Sequence, residues 1–204
     1  MRRREIVAGL GSVGALAGAG GLLLGGVPSF GADSGPGNGD DGSYTVETID
    51  ARGSEAGTLP VPTGDVMVLE FFVTGCGNCQ TQMPKVAEAY SQLATDHGDA
   101  VTFLGITFQS SDNKPPAELR DWWRAHGGNW PVGYDPMGDI AASYGYSSYP
   151  TTIVTDADGE KHWGKLGITE PDVIVDHVES VLETSSDETT NSSVNANTTE
   201  PTAD

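Results

Sequence analysis

Residues 66–84 read VMVLEFFVTGCGNCQTQMP, and this stretch decides the fold of the chain. Residues 66–73 have the length and the Val, Leu and Phe content of a buried strand. The motif Cys76-Gly77-Asn78-Cys79, which holds the only two cysteines of the chain, follows at once and leads into a helical pattern. Unpaired N–H groups and the helix dipole favour a thiolate at a helix N-terminus, here Cys76. The spacing lets Cys79 close a small disulfide ring, so the pair can exchange two electrons and two protons with a substrate.

Two structural interpretations of the cysteine pair fit less well. A structural disulfide gains most from closing a long loop, and a four-residue ring constrains the unfolded chain little. A zinc site needs four ligands, and with no third cysteine it would have to recruit histidines. The four histidines do not show the usual paired spacing of zinc ligands: His97, His126, His162 and His177. We therefore interpret the pair as redox-active and predict neither a metal nor another cofactor.

Two segments together resemble the thioredoxin superfamily. Residues 69–84 are most similar to the active-site region of the exported TlpA/ResA-like thiol–disulfide oxidoreductases, with Pro84 at the family's helix-kinking position. Residues 149–154, which begin Tyr149-Pro150-Thr151, resemble the family's cis-proline and the strand after it. The resemblance extends from about residue 44 to residue 182. It implies an α/β, thioredoxin-like fold, in which helices flank a central mixed sheet, with an insertion before the cis-proline hairpin.

The remaining pattern predicts elements that fit this fold. We expect an edge strand at 44–49, a turn-rich stretch to 65, and strands at 66–73 and 101–108, parallel through a right-handed crossover. A hairpin is expected at 151–163. Helices are expected at 78–97, 117–126, 137–144 and from Pro171 to about 183.

The position of each cysteine suggests its role. Cys76 should be the nucleophile because it lies exposed at the helix N-terminus, and Cys79, one turn later, should be the more buried, resolving thiol. The resemblance implies that they form a Cys76–Cys79 disulfide in the catalytic cycle. It also implies a catalytic role for Pro150, whose loop backbone can pair with a substrate strand. The neighbours Tyr149 and Thr151 are then expected to bind substrate.

Glu70 is a carboxyl residue inside the apolar strand. Since both of its neighbours are large and apolar, we expect it to be buried, and a buried charged group needs a partner or a role. The alternative is a solvated glutamate at an open edge of the sheet. In thioredoxins, which this region resembles, a buried acid at this position manages the proton of the resolving cysteine. Burial would raise the pKa of Glu70 toward neutrality, as a proton acceptor requires.

Four positions depart from the family pattern. Gly75 replaces the usual Trp before the first cysteine, and Asn78 replaces the usual Pro before the second. Gln82 stands where ResA-like members tend to place an acid, and Tyr149 is bulky for its position. Because the residues between the cysteines tune the reduction potential, the sequence leaves open whether the protein reduces or oxidises its partner.

The charge of the chain excludes one class of partner. Ten Lys and Arg stand against 29 Asp and Glu, a net charge of −19. Nucleic-acid binding requires basic surfaces, so we predict no nucleic-acid partner. The carboxylates are distributed along the chain, which is typical of a halophilic protein whose self-repulsion is screened by high salt.

Both ends of the chain read as extensions of the domain at 44–183. Residues 1–30 begin with Arg2-Arg3-Arg4 and continue as a Gly/Ala/Leu-rich run, which resembles a twin-arginine export signal and is also long enough for a membrane anchor. Residues 31–43 read as a flexible linker. Residues 184–204 form an acidic Ser/Thr/Asn-rich tail, predicted to be disordered, with glycosylation sequons at Asn191 and Asn197.

The sequence therefore predicts an exported thiol–disulfide oxidoreductase, at the outer face of the cytoplasmic membrane or outside the cell. The resemblance implies that it reduces a specific protein partner, such as an apocytochrome c, and a membrane electron donor or oxidant would regenerate it. One alternative is a thiol peroxidase of the same fold, which requires Thr three residues before the cysteine, where Val73 stands. The other is a non-enzymatic thiol- or copper-binding module, whose relatives use a wider CxxxC pair and a distant histidine.

Overall fold

The computed structural model describes residues 43–195, with side chains described to residue 185. The predicted export segment, the linker up to residue 42, and residues 196–204 with Asn197 lie outside the described residues. The elements follow in chain order: β1 (Tyr44–Thr48), β2 (Gly57–Val61), β3 (Val66–Phe72), α1 (Gly77–Asp96), a 3-10 turn (Gly98–Ala100), β4 (Val101–Thr107), α2 (Pro116–Ala125), β5 (Val132–Tyr134), α3 (Asp139–Ser143), β6 (Thr151–Thr155), β7 (Lys161–Leu166) and α4 (Pro171–Asn195).

The strands form one mixed sheet in the order β2-β1-β5-β4-β3-β6-β7. The central strand β3 is parallel to β4 and antiparallel to β6, and all seven of its residues are buried. A strand that is buried on both faces reads as a continuous apolar run, which is why the sequence predicted β3 and β4 well. The parallel β3–α1–β4 unit and the β6–β7 hairpin confirm the predicted α/β architecture with its mixed sheet.

The two faces of β3 pack against different helices. Val68 and Phe72 join a core built with α1, α2 and α4, whereas Met67, Leu69 and Phe71 join a second core with α3. Glu70 lies on the first face by the alternation of side chains along a strand. The position of the carboxyl group under α1 is thus fixed by the period of the strand.

Two predictions about the sheet edge are wrong. β1 is not an edge strand: it lies between β5 and β2, and β2 falls in the stretch predicted to be turns. Gly57 and Pro60 weaken the strand signal of β2, yet proline is tolerated in an edge strand because one side needs no ladder hydrogen bonds. β5 was also not predicted, because three residues give no readable alternation.

The last helix extends beyond its predicted end. α4 runs to Asn195, whereas the pattern placed its end near residue 183 and predicted disorder from 184 onward. No Gly or Pro follows Pro171 within these residues, so nothing interrupts the helical hydrogen bonds, although Ser, Thr and Asn are weak helix formers. The candidate sequon residue Asn191 therefore lies in a helix. Within the described part of the chain, no helix has the length and apolar character needed to cross a membrane.

The topology brings several loops to one end of the sheet. β3, β4 and β5 are parallel, so the segments that follow them share that end. β6 begins there because it runs antiparallel to β3, and β7 ends there because it runs antiparallel to β6. Cys76, Phe108, Pro150 and Leu166 are consequently placed around a common end.

Candidate active site

Cys76 is the N-cap residue of α1. Its backbone is extended, with φ −89° and ψ 117°, and its Sγ accepts a hydrogen bond from the Cys79 backbone N–H at 3.1 Å. The sulfur thus occupies the place that a side-chain oxygen takes at an ordinary N-cap. The first turn of α1 contains no acidic residue, so no carboxylate in that turn opposes a negative charge on the sulfur.

Two glutamines hold the loop that precedes Cys76. The Thr74 backbone N–H donates to Gln109 Oε1 at 2.9 Å, and Gln80 Nε2 donates to the Thr74 carbonyl at 3.1 Å. Gln109 Oε1 also accepts from the Thr107 hydroxyl at 3.3 Å. The sequence pattern did not indicate these residues, because Gln109 follows the end of β4 and meets the loop only through the pairing of β4 with β3.

The two cysteines differ in exposure in the predicted sense. Cys76 is half-buried and Cys79 is buried, and both are free thiols in this structure. Burial raises the pKa of Cys79 strongly, and the hydrogen bond with Cys76 and the charges of Cys76 and Glu70 raise it further. Cys79 therefore needs a proton acceptor before it can act as a nucleophile.

Glu70 is buried, with 1% of its surface exposed, so the alternative of a solvated edge glutamate is wrong. In the sheet it stands between Gly105 of β4 and Thr152 of β6. Desolvation raises its pKa to about 8, although the Thr152 hydrogen bond acts in the opposite direction. Glu70 Oε1 has no hydrogen-bond partner. An acid of this pKa can exchange a proton near neutral pH.

A buried network surrounds the second carboxylate oxygen. The Thr152 hydroxyl donates to Glu70 Oε2 at 2.6 Å, and Gln82 Nε2 lies 3.5 Å from the same hydroxyl. Gln82 Oε1 accepts from the Thr169 backbone N–H at 2.8 Å. The sequence contains an indication that Gln82 is buried, since its spacing places it on the helix face of Cys79 and Val86, which are both apolar and buried. Thr152 carries none, since only the β3–β6 register places it opposite Glu70.

The loop before β6 contains the predicted cis bond. The Tyr149–Pro150 peptide is cis, and the Pro150 carbonyl accepts from the Gly167 N–H at 2.8 Å. Tyr149 is 42% exposed and its ring lies 5.8 Å from that of Phe108. The Thr151 side chain is buried and its hydroxyl donates to the Ser148 carbonyl, so a contact of Thr151 with substrate, which stays a prediction, would be made by its backbone. Tyr149 is the exposed aromatic side chain of this loop, next to the exposed Ser147 and Ser148.

Large apolar side chains are exposed at the same end of the sheet, among the described residues: Met137, Tyr149, Leu166 and Ile168. Gly75 lies beside Cys76, and no atom comes within 4 Å of the position that its Cβ would occupy. Three of the tryptophans are not part of this exposed apolar surface. Trp123 and Trp130 are buried in the core, while Trp122 is partly buried and stacks on Phe72 at 4.9 Å.

The histidines make separate local contacts. His126 contacts the Trp122 carbonyl, His162 pairs with Asp156, His97 lies 3.8 Å from Glu179, and His177 stacks on Trp163. Over residues 43–195, no group of three or more His, Cys, Asp or Glu residues is arranged to hold a metal ion.

Known proteins similar to this chain share its fold. The sequence profile of the AhpC/TSA family matches residues 46–160. The thioredoxin-like protein YneN of Bacillus subtilis (strain 168) is 29% identical over 116 residues, which cover 57% of this chain and 63% of that protein. The chain thus spans less than two thirds of the length of this relative.

Two solved structures show the likeness in three dimensions. StoA from Bacillus subtilis has a TM-score of 0.54 at 18% identity, over 66% of this chain and 95% of its own. A secreted Mycobacterium tuberculosis disulfide oxidoreductase homologous to E. coli DsbE has a TM-score of 0.53 at 19% identity, over 67% and 95%. The predicted thioredoxin-like fold is confirmed.

Proposed function

The chain belongs to the AhpC/TSA family, and we propose that it is an exported thiol–disulfide oxidoreductase whose redox centre is Cys76 and Cys79. The observation that carries the proposal is the arrangement of three groups. A half-buried thiol caps α1, a buried thiol lies one turn below it, and a buried carboxyl group with a pKa of about 8 lies on the adjacent strand.

The reaction begins at Cys76. Its thiolate attacks a disulfide of the partner protein, which breaks the partner's S–S bond, forms a mixed disulfide and releases one partner thiolate. Cys79 then passes its proton to the Glu70 carboxylate. The Cys79 thiolate attacks Cys76 Sγ, forms the Cys76–Cys79 disulfide and releases the second partner thiolate. The partner has gained two electrons, and an external dithiol donor returns the pair to the reduced form.

The same steps in reverse oxidise a dithiol partner. Which direction prevails depends on the reduction potential of the Cys76–Cys79 pair relative to its partners. Glu70 serves both directions, because it accepts the Cys79 proton when the disulfide forms and returns it when the disulfide opens.

The partner is a protein, in this proposal. The cysteine end of the sheet has an exposed apolar rim on which a partner segment can lie, formed by Met137, Tyr149, Leu166 and Ile168. The family resemblance supports an apocytochrome c as the type of substrate. Export is supported by the signal-like pattern of residues 1–30 and by the secreted M. tuberculosis protein of the same fold.

Trapping of the mixed disulfide tests the roles of the cysteines. Cys79→Ser should accumulate partners covalently on Cys76, and dithiothreitol should release them, because no second thiol remains to displace the partner. Cys76→Ser should trap far less, since Cys79 is buried. The opposite asymmetry would reverse the two roles.

Insulin reduction, peroxide consumption and copper uptake by the wild-type protein separate the proposal from its alternatives. We expect insulin reduction without peroxide turnover, because Val73 stands where a thiol peroxidase requires Thr. Peroxide turnover abolished by Cys76→Ser would replace the proposal with a peroxidase. Copper uptake without disulfide exchange would assign the protein to the binding-module class.

A further inference from the structure

A directed chain of hydrogen bonds ends on the Glu70 carboxyl group. Its first donor is the Thr169 backbone N–H, which can only donate, so the atom of Gln82 that it meets at 2.8 Å must be the amide oxygen. The Gln82 amide nitrogen then faces Thr152 and donates to its hydroxyl oxygen, at 3.5 Å. With that oxygen accepting from Gln82, the hydroxyl proton is directed at Glu70 Oε2, 2.6 Å away.

We infer that Thr152 and Gln82 are positioning residues that set the protonation of Glu70 and so control the proton transfer from Cys79. This inference rests on the proposed function and deepens it. The Thr152 hydroxyl donates a hydrogen bond to the ionised carboxylate, and the Gln82 amide keeps this hydroxyl oriented toward Glu70. Because the bond occupies Oε2, the proton taken from Cys79 binds Oε1, the carboxylate oxygen that has no other partner.

The surroundings of Glu70 leave few other groups to perform this task. From α1, Cys79 is the titratable group that faces it, and α2 contributes Trp123 to the same core. α4 contributes Ile174, Val178 and Val181 to this core. Its charged residues Asp172, Asp176 and Glu179 are exposed, and its His177 stacks on Trp163. On the sheet, Gly105 and Thr152 flank Glu70, so Thr152 supplies the hydrogen bond.

The identity of residue 82 follows from this arrangement. A carboxylate there would still accept from the Thr169 N–H, but it has no proton to donate to Thr152. It would instead compete with Glu70 for the Thr152 hydroxyl and add a second negative charge beside it. An amide at position 82 is thus suited to a site whose acid is at position 70.

Thr152→Val tests the inference because it removes the hydroxyl and keeps the shape. The matched control is Thr155→Val on the same strand, which is also fully buried and whose hydroxyl has no hydrogen-bond partner. Thr152→Ser restores a hydroxyl at the critical position. Two quantities are measured between pH 5 and 10. One is the titration of the Glu70 carboxyl carbon by NMR, assigned by its absence in Glu70→Gln. The other is the rate at which Cys79 releases thionitrobenzoate from a mixed disulfide on Cys76.

We expect Thr152→Val to move the carboxyl titration and the acid limb of the release rate upward together by about one pH unit, a tenfold slower release near pH 7. Gln82→Leu should move both in the same direction by less. Thr155→Val and Thr152→Ser should resemble the wild type. The inference would be overturned if Thr152→Val left both the carboxyl titration and the pH profile of release unchanged. It would also be overturned if Thr155→Val shifted them as much as Thr152→Val does. Gln82→Leu provides the same comparison if Thr152→Val does not fold.

The two hypotheses fail in different ways. If wild-type Cys79 releases no thionitrobenzoate, then the proposed function is wrong and so is the role of Glu70 in it. If release occurs and Glu70→Gln slows it, but Thr152→Val changes neither midpoint, then the oxidoreductase stands and only the positioning role is wrong.

Discussion

At Glu70, a single carboxyl group makes folding stability depend on pH. Its pKa is raised from 4.5 to about 8 by burial. Below pH 4.5 the group is protonated in both the folded and the unfolded protein. Between these two values the folded protein keeps the proton and the unfolded chain releases it, so the free energy of unfolding falls as pH rises. Above about pH 8 the loss in the free energy of unfolding reaches its full value, because the carboxylate is then charged in the core.

We expect Glu70→Gln to remove this pH dependence. The amide keeps the shape and an acceptor for Thr152 but has no charge to desolvate. Relative to wild type, the variant should gain about 2 to 5 kcal/mol of stability between pH 5 and pH 8.5. Urea unfolding at several pH values measures the difference, with the exposed Glu88→Gln as control. Parallel profiles for Glu70→Gln and wild type would contradict a buried, titrating Glu70.

Among the elements, helix α2 packs closely against strand β4 at Gly105, where there is no room for a side chain. The Trp123 ring lies against Gly105, so close that a Cβ on this glycine would be 2.4 Å from the ring. Trp123 also packs at 5.6 Å from Phe72 and 4.9 Å from Trp130. Since Gly105 is the sheet neighbour of Glu70, this contact also supports the strand pair that holds the candidate active site.

We expect Gly105→Ala to destabilise the protein by about 1 to 3 kcal/mol, because the fully buried Trp123 has no free space to move into. Chemical unfolding and the near-ultraviolet circular dichroism of the tryptophans measure the effect. Gly57→Ala in β2 is the matched strand control, since no atom lies within 4 Å of its Cβ position. Equal stabilities for the two variants would show that α2 adjusts freely.

For the whole molecule, the excess of negative charge is the dominant electrostatic feature. The net charge is −19, and the ion pairs of the described residues that involve Lys or Arg are few and partly exposed: Lys85–Glu170, Lys114–Glu118, Arg120–Asp50 and Arg124–Asp121. Such pairs contribute little, so repulsion between the remaining carboxylates dominates. We propose that the protein is adapted to high salt.

We expect the melting temperature at pH 7.5 to rise by roughly 5 to 10 °C between 0.1 and 2 M KCl, since the screening length falls from about 10 Å to below about 3 Å. The same pair of measurements near pH 4.2, the isoelectric point, is the control, because little net charge is left to screen there. A rise of equal size at both pH values would mean that salt acts through apolar burial. No rise at pH 7.5 would refute the adaptation.

The sequence alone identified the candidate redox residues and determined most of the fold. The type and spacing of Cys76 and Cys79 indicate a redox pair, and the apolar run that forms β3 predicts a buried strand. Both inferences could be made because they depend only on residues that are close in sequence. Glu70 was found in the same way, as a charge among apolar neighbours. The elements that local patterns failed to predict were β2, β5 and the far end of α4. Their signals are short, interrupted by Gly57 and Pro60, or composed of weak helix formers.

The tertiary structure alone decided how these residues act together. Thr152 and Gln82 are separated by 70 residues in sequence, yet they meet beside Glu70, because strand register and helix packing bring them there. The burial of Thr151 and the placement of β1 inside the sheet likewise depend on neighbours that are distant in the chain. Hydrogen-bond partners are properties of the packed molecule, and for that reason the sequence predicted the burial of Glu70 and the direction of its pKa shift but not the residues that hydrogen-bond around it.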